Sequence, residues 1–399
     1  MRAPGPLRVA GLKQSLSVVG EAGPYGGADW GAELIDSVGA VEVHRVAAQK
    51  TAASTTFGVS NGAARPIVGH AMQRTTSRFH AFWIGFVALV WIAPGACLAE
   101  PVVLRIGYFP NVTHAQGVIG AAGTREKAGW FEQRLGPEVT IQWFPFNAGP
   151  SAMESIFAGS IDATYVGPNP ALNAYIKSKG EEIRILAGSA RGGAALVVPS
   201  LSTLAKADDF RGKKVGTPQL GNTQDVSARA WFRSQGLKVT QTGGDVFIIP
   251  TPNPDQLGLF QAGHLDAVWT VEPWVSRLVL EGKGRVLIEE RDAVTTILVS
   301  SVKLLKEHPA LAEKLRGAHL ELTAWINAHP DLAREKVRAG LSAETRHEIS
   351  ATLVAAAWSR LTFTDKVEPA VLEKFMADAQ AAGLLKQSLP LDRFFSGKP

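Results

Sequence analysis

The sequence predicts an α/β protein of two lobes. Three observations carry this: β-branched runs alternate with segments of helical spacing from residue 102 onward, the alternation restarts after the run at 183–188, and the chain passes between the two units twice, near 191–196 and 285–296. In the first unit the strand-like runs are 102–108, 139–144, 161–166 and 183–188, and the helical segments are 116–127, 151–158 and 170–178. In the second, strands are expected at 195–198, 214–217, 246–249, 265–270 and 286–288, with helices at 223–234 and 255–261. The run 296–300 returns to the first unit, and strand-helix-strand order predicts parallel sheets. Beyond it the tail is helical, with apolar spacing at Leu311, Leu315, Leu320, Leu322, Trp325 and Ile326 and again over 353–358. Lobe 1 is therefore expected from 100–192 and again, with C-terminal helices, from 291–399, and lobe 2 from 193–290. Gly192 and Gly193 fall at the first crossing, where they serve either a hinge or a simple turn.

Of 399 residues, 46% are hydrophobic and 19% charged, which excludes a disordered, collagenous or coiled-coil chain. The net charge of +5 is mild and evenly spread, so no nucleic-acid partner is expected. Cys97 is the only cysteine, so an intramolecular disulfide is excluded. Arg74 and Arg78 precede an apolar run at 81–93 and then small residues up to Ala99, the order of a secretory signal peptide at 72–99 cleaved after Ala99. That run is shorter than the roughly 20 helical residues that span a bilayer. A lipid anchor on Cys97 is the alternative, although Pro94 stands where a large aliphatic residue is expected. Residues 1–71 lack periodicity and read as a non-native upstream extension, Met72 being the better start, or else as a disordered one. A periplasmic location follows from the leader.

Strands that run directly into polar, turn-forming residues carry the chemistry. After 106–109 comes PNVTHAQ, with Thr113 and Gln116 at capping-box spacing. After Phe144 comes PFNAGPS, which contains Asn147 and sets Ser151 three residues before Glu154. After Val166, Asn169 is placed as a helix cap ahead of Pro170. After Val215 comes GTPQLGNT, containing Gln219, Gly221, Asn222 and Thr223, and a fifth turn, WTVEPW, contains Glu272. Turns at the carboxyl edge of a sheet gather, and unpaired amides of several helix starts then converge on one anion. Each polar residue taken singly is better read as a cap for its own helix, and it is the five together that point to a shared site. The fourth turn matches the phosphate loop G-x-x-x-x-G-K-[ST] except that Asn222 replaces the lysine, which argues against a nucleoside triphosphate and for a backbone cradle around a smaller anion.

Arg191 is either a cleft-facing guanidinium for an anionic head or a surface residue, and His114 either donates to an anion or packs. Glu272 would repel a bound anion; it caps the following helix or meets an amino group on the ligand. Tyr108, Phe109, Phe146, Tyr165, Trp269 and Trp274 are candidate apolar walls for the cleft. No G-x-S-x-G elbow, H-E-x-x-H or dinucleotide fingerprint is present, and a chain from residue 100 has no cysteine, so no catalytic role is expected.

The motifs GYFPNVTH (107–114), NAGPS (147–151), YVGPNP (165–170), TPQLGNTQD (217–225) and VEPW (271–274) together resemble the nitrate, sulfonate and taurine solute-binding proteins, in order and over 101–385. The chain is most similar to the aliphatic sulfonate binders of that family. The resemblance implies a two-lobed periplasmic-binding-protein-like fold of type II, with the ligand cleft between lobes and two hinge crossings. It implies a monomeric receptor of an ABC importer that binds a small anion such as an alkanesulfonate and docks on an inner-membrane permease with its ATPase, needing no cofactor and no metal. Carried over residue by residue, it points to Asn111, His114, Asn147, Ser151, Asn169, Gln219, Gly221, Asn222, Thr223 and Glu272 as cleft residues. Nitrate, taurine or a pyrimidine as ligand, and a pyrimidine-forming enzyme on the same fold, are the alternatives.

Overall fold

The computed structural model describes residues 102–395 apart from 128, 241 and 242. The upstream extension at 1–71, the signal peptide at 72–99 and Cys97 lie outside the described residues. The chain first forms β1 (Val102–Tyr108), α1 (Ala115–Arg125), α2 (Trp130–Leu135), β2 (Val139–Pro145), α3 (Gly149–Phe157), β3 (Ala163–Val166), α4 (Pro168–Lys177) and β4 (Ile183–Gly192). It continues as β5 (Ala194–Pro199), β6 (Lys214–Thr217), α5 (Thr223–Ser234), β7 (Phe247–Pro250), α6 (Asn253–Gln261), β8 (Ala267–Val271), α7 (Trp274–Leu280) and β9 (Gly284–Glu290). It closes with β10 (Val294–Ser301), α8 (Val302–Glu307), α9 (Pro309–Ala328), α10 (Pro330–Thr345), α11 (Ala351–Trp358), β11 (Leu361–Phe363) and α12 (Pro369–Ala381).

Two sheets result, ordered β11-β4-β10-β3-β1-β2 and β7-β6-β8-β5-β9. Neighbours β1 with β2 and β3, and β6 with β7 and β8, are parallel. Each sheet is nevertheless mixed, which corrects the expectation of parallel sheets. β10 runs antiparallel between β3 and β4, and β5 antiparallel between β8 and β9. The reason lies in the crossings. A single residue, Gly193, separates β4 from β5, and only 291–293 separate β9 from β10. A strand that arrives straight from the other lobe enters at the edge where the parallel strands end, with no crossover helix to bring it round, so it runs against them.

Apolar clusters cover the first sheet on both faces, one including Leu104, Ile106, Phe131, Leu315 and Leu322, the other Met153, Ile156, Leu172, Ile297 and Leu372. The second sheet has its own, around Phe210, Val215, Phe232 and Trp269 and around Val197, Phe260 and Leu278. Burial on both faces explains why β10 is buried along its whole length and reads as a continuous run rather than an alternation. Helices α3, α4 and α6 each start two residues earlier than spacing predicts, because Pro150, Pro168, Pro170 and Pro254 sit inside their first turns. A missing N–H costs nothing there, since those amides have no partner within the helix. Among the described residues no helix is long and apolar enough to cross a membrane.

Gly192 and Gly193 have φ of 73° and 71°, the left-handed region. A Cβ on Gly192 would lie 2.4 Å from the Arg360 carbonyl oxygen and 2.9 Å from that of Arg291, because β11 pairs with β4 at this point. Both conformation and space therefore require glycine at the first crossing. Gly212 shares φ of 73° but has nothing within 4 Å of its Cβ position. Gly192→Ala should lower the free energy of unfolding by about 2 kcal/mol or more, whereas Gly212→Ala should cost about 1 kcal/mol, the left-handed penalty alone. Urea unfolding of the two variants checks this, and equal losses would show that the crossing has room.

Candidate functional site

The carboxyl ends of β1, β2, β3, β6, β7 and β8 face one cavity between the two sheets' lobes, with a volume of about 30 Å³. From the first lobe it is lined by Phe109, Asn111, Thr113 and His114 after β1, by 147–149 after β2, by Gly167 and Pro170 after β3, and by Thr295 of β10. From the second come Pro218 and 222–224 after β6, Asn253 after β7, and Val271 at the end of β8. The five turns singled out in the sequence share this one hollow. No arginine, lysine or carboxylate lines it among the described residues.

Several helix starts here keep their first amides free of side-chain caps. The short turn Val112–His114, α3 and α6 have none. The expected capping boxes at Thr113 and Ser151 do not form: α1 begins after His114, and Ser151 lies inside α3, its hydroxyl donating to the Ala148 carbonyl at 3.0 Å. Helix α5 is the exception, since Asn222 Oδ1 accepts the Asp225 amide at 2.9 Å. The Asp225 carboxylate in turn accepts from the Gly221 amide, the Thr217 hydroxyl and Arg229 Nε, all within 3.0 Å and all buried or half-buried, which fixes the loop between β6 and α5.

His114 is buried and stacked on Phe109, ring centroids 4.4 Å apart. The Phe109 amide donates to its Nδ1 at 3.3 Å, which assigns the proton of the neutral ring to Nε2. Burial pushes its pKa down to about 3, so the ring is a neutral donor at physiological pH. Asn111 Oδ1 accepts the indole N–H of Trp274 at 2.9 Å across the lobes, leaving its NH2 group as the spare donor.

Of the eleven sequence candidates, Asn111, His114, Asn147, Asn222 and Thr223 line the cavity, and the other six do not. Asn169 spans the lobes instead: its NH2 donates to the Gly221 carbonyl at 2.7 Å, and its amide approaches Thr223 Oγ1 at 3.4 Å. It is not the cap of α4, which starts after Gly167. Gly221 has φ of 75° and open space around its Cβ position, so it serves the turn rather than a close approach. Gly167 supplies the close approach, since a Cβ there would lie 2.4 Å from Thr223 Oγ1. Arg191 forms an ion pair with Glu368 on the surface of its own lobe. Gln219 is half-buried, its Oε1 without a partner, and does not reach the cavity.

Glu272 is fully buried away from the cavity. Its carboxylate accepts the Ser276 amide and hydroxyl at 3.0 and 2.9 Å, capping α7, and lies 3.2 Å from Arg360 Nε of the first lobe. Burial raises its pKa to about 7 against the hydrogen bonds from Ser276 and the charge of Arg360. Of the six aromatic candidates only Phe109 lines the cavity. Tyr165 bonds His319 in the core at 3.0 Å, Tyr108 donates to Glu344, and Trp269 donates to Glu290. Asn253, Gln224 and Thr295 were missed in sequence; Pro252-Asn253-Pro254 after β7 repeats the pattern at 168–170 and was the available signal.

Two mixed sheets joined by two direct crossings, with a polar cavity between them, define the two-lobed fold of periplasmic binding proteins. The chain belongs to the NMT1-like family, whose model matches residues 98–341. It is 28% identical over 214 residues to the putative aliphatic sulfonates-binding protein of Escherichia coli (strain K12), covering 52% of this chain and 62% of the relative. It is 24% identical over 199 residues to the taurine-binding periplasmic protein of the same organism, covering 48% and 59%. The chain thus spans about three fifths of the length of these curated relatives. The alkanesulfonate-binding protein of Xanthomonas axonopodis pv. citri, solved bound to MOPS, superposes with a TM-score of 0.58 at 22% identity, covering 72% of this chain and 96% of that one.

Asn222→Ala should lower stability by about 1 kcal/mol through loss of the cap, and Asn222→Asp should restore it; thermal melting checks both. Acidification acts on His114 and Glu272 with opposite signs. The unfolded chain protonates His114 near its ordinary 6.5 while the fold refuses the proton until about 3, so this contribution is complete above pH 6.5 and is lost as pH falls toward 3. The fold holds a proton on Glu272 up to about 7 whereas the unfolded chain releases it near 4.5, so that contribution is gained as pH falls from 7 to 4.5. The urea midpoint of His114→Gln should therefore rise relative to that of the parent chain as pH falls from 7 to 4, and parallel curves would show that His114 ionises freely in the fold.

Proposed function

We propose that the chain is the exported, periplasmic receptor of an ABC importer that takes up a small organic oxyanion, an aliphatic sulfonate, and performs no chemistry on it. The observation that carries the reading is the convergence, from both lobes, of uncapped helix starts and neutral donors on one cavity that no charged side chain lines among the described residues. Oriented amides satisfy an oxyanion without a cation, and the anion supplies the acceptors those amides lack. The kinship with a sulfonate-binding and a taurine-binding relative supports the same class of ligand. Asn111 and His114, on the first lobe, would donate to the oxyanion from one side, and the start of α5 at Thr223 from the other. Release to an inner-membrane permease and its ATPase then requires the lobes to part, with Gly193 and residues 291–293 as the chain connections between the sheets among the described residues.

The cavity's size narrows the ligand. At about 30 Å³ the cavity is small, and Phe109 is its one aromatic wall, so little of it is shaped for an alkyl chain. That favours a nitrate-sized ligand as the second reading, or a sulfonate whose chain holds the lobes slightly apart. Because Glu272 is turned away into a pair with Arg360, the cavity offers no carboxylate to an ammonium, which argues against taurine. Calorimetry of the purified protein should therefore give saturable binding with ethanesulfonate or nitrate and at least tenfold weaker binding with taurine. Absence of binding to every one of these anions would remove the oxyanion reading.

A further inference from the structure

A second and larger hollow, of about 650 Å³, lies outside the cleft. One wall is the flank of α5, where Ser227, Ala230 and Trp231 recur at the spacing of one helix face. The opposite wall is α12, which presents Val371 and Phe375. The floor is the second crossing, from Glu289 to Ala293. α12 packs into the core of the first lobe through Leu372 and Ala379, while α5 packs with the second through Ala228 and Phe232, so the two walls belong to different lobes. Its volume falls within the range of about 300–1,000 Å³ usual for sites of small organic ligands.

The charges are not balanced. Glu289 is paired with Arg291 and Arg360, and Asp378 with Lys374. Glu290 has no ion-pair partner among the described residues; its carboxylate accepts the neutral indole N–H of Trp269 at 2.9 Å and is also hydrogen-bonded by the Ser227 side chain. Burial holds its carboxyl above the ordinary range, against the hydrogen bonds from Trp269 and Ser227 and a smaller contribution from the charge of Lys374. Lys374 and Arg291 also line the hollow, but each is paired with another carboxylate, so Glu290 is a half-buried carboxylate without an ion pair of its own. In a trough that also carries Trp231, Val371 and Phe375 it is matched by a ligand with a cationic head and an apolar body.

We propose that the trough between α5 and α12 binds an amphipathic primary amine, its ammonium on Glu290 and its aryl or alkyl body between Trp231 and Phe375. The occupant touches both lobes at once. The hollow has this size when the lobes are joined by the Asn169–Gly221 contact, so by linkage an occupant that fits it favours the closed arrangement of the cleft. This site shares no lining residue with the oxyanion cavity, and its failure leaves the oxyanion reading untouched.

The test is titration of the full chain with 2-phenylethylamine, read by calorimetry and by tryptophan fluorescence, with 2-phenylethanol as the uncharged match. The amine should bind saturably and at least tenfold more tightly than the alcohol. Glu290→Gln, which keeps an acceptor for Trp269, should weaken the amine at least tenfold and leave the alcohol unchanged. Ala370→Trp, at the exposed rim of the trough, should weaken both. Cooperative melting of each variant shows that it is folded. No saturable binding, equal affinity for amine and alcohol, or undiminished binding to folded Glu290→Gln would overturn the proposal.

Discussion

Everything in this molecule hangs on how a chain can cross twice between two sheets without leaving charge or backbone stranded in the gap, and Arg360 is where that is solved. Its guanidinium comes from the first lobe and meets Glu272 and Glu289 of the second, 3.2 and 3.0 Å away, while its own carbonyl lies against Gly192. A carboxylate as buried as Glu272 carries a desolvation cost that only an opposite charge and several donors offset. Ser276 supplies two of those donors and Arg360 the charge. Truncating Arg360 would therefore leave two carboxylates facing each other at the joint, so the residue fixes the geometry of the crossing more than it adds net stability.

Once the crossings are fixed, the position of the cavity follows. Strands that enter directly from the other lobe start where the parallel strands stop, so β5 and β10 both begin at the cleft edge, and that edge collects the turns after β1, β2, β3, β6, β7 and β8. Helices that follow such turns aim their free amides inward. The chain then leaves the site without ionic groups: the one ionisable lining residue, His114, is held neutral by burial and oriented by the Phe109 amide. Neutral, fixed donors discriminate by geometry and by the number of acceptor oxygens rather than by bulk charge.

Most of the fold was legible because it rests on local signals. The β-branched run at β1 and the helical spacing of α5 mark both elements with the bounds the sequence predicts. What was not legible depends on distant neighbours. Nothing near 296–300 tells that this run enters a parallel sheet backwards; that is decided by a crossing the local pattern does not describe. At the site, the five turns singled out in the sequence border the cavity, but six of the eleven candidate residues do not line it. Asn222 and Asn169 are the same residue type after similar turns. One satisfies an amide two residues into its own helix, and the other reaches a carbonyl 52 residues away on the other lobe. Local spacing distinguishes neither, because a polar residue at a helix start has three competing partners, its own helix, the facing lobe and a ligand, and only the fold ranks them.

That competition bears on how closure works. Asn169, Thr223, Gly221, Asn111 and Trp274 make the contacts that join the lobes at the cleft, and four of them, Asn111, Asn169, Gly221 and Thr223, come from turns that line the cavity. Each interlobe hydrogen bond is worth on the order of 1 kcal/mol net, since water would satisfy the same groups in an open state. A few such bonds do not commit the lobes to either arrangement. A ligand that engages donors from both sides adds a contribution present only when the lobes are together, so a modest differential affinity is sufficient to shift the population. The glycine at 167 is what permits this: it lets the turn after β3 come against Thr223 closely enough for the two lobes to share a single small cavity, where a side chain would hold them apart and dilute every donor's effect.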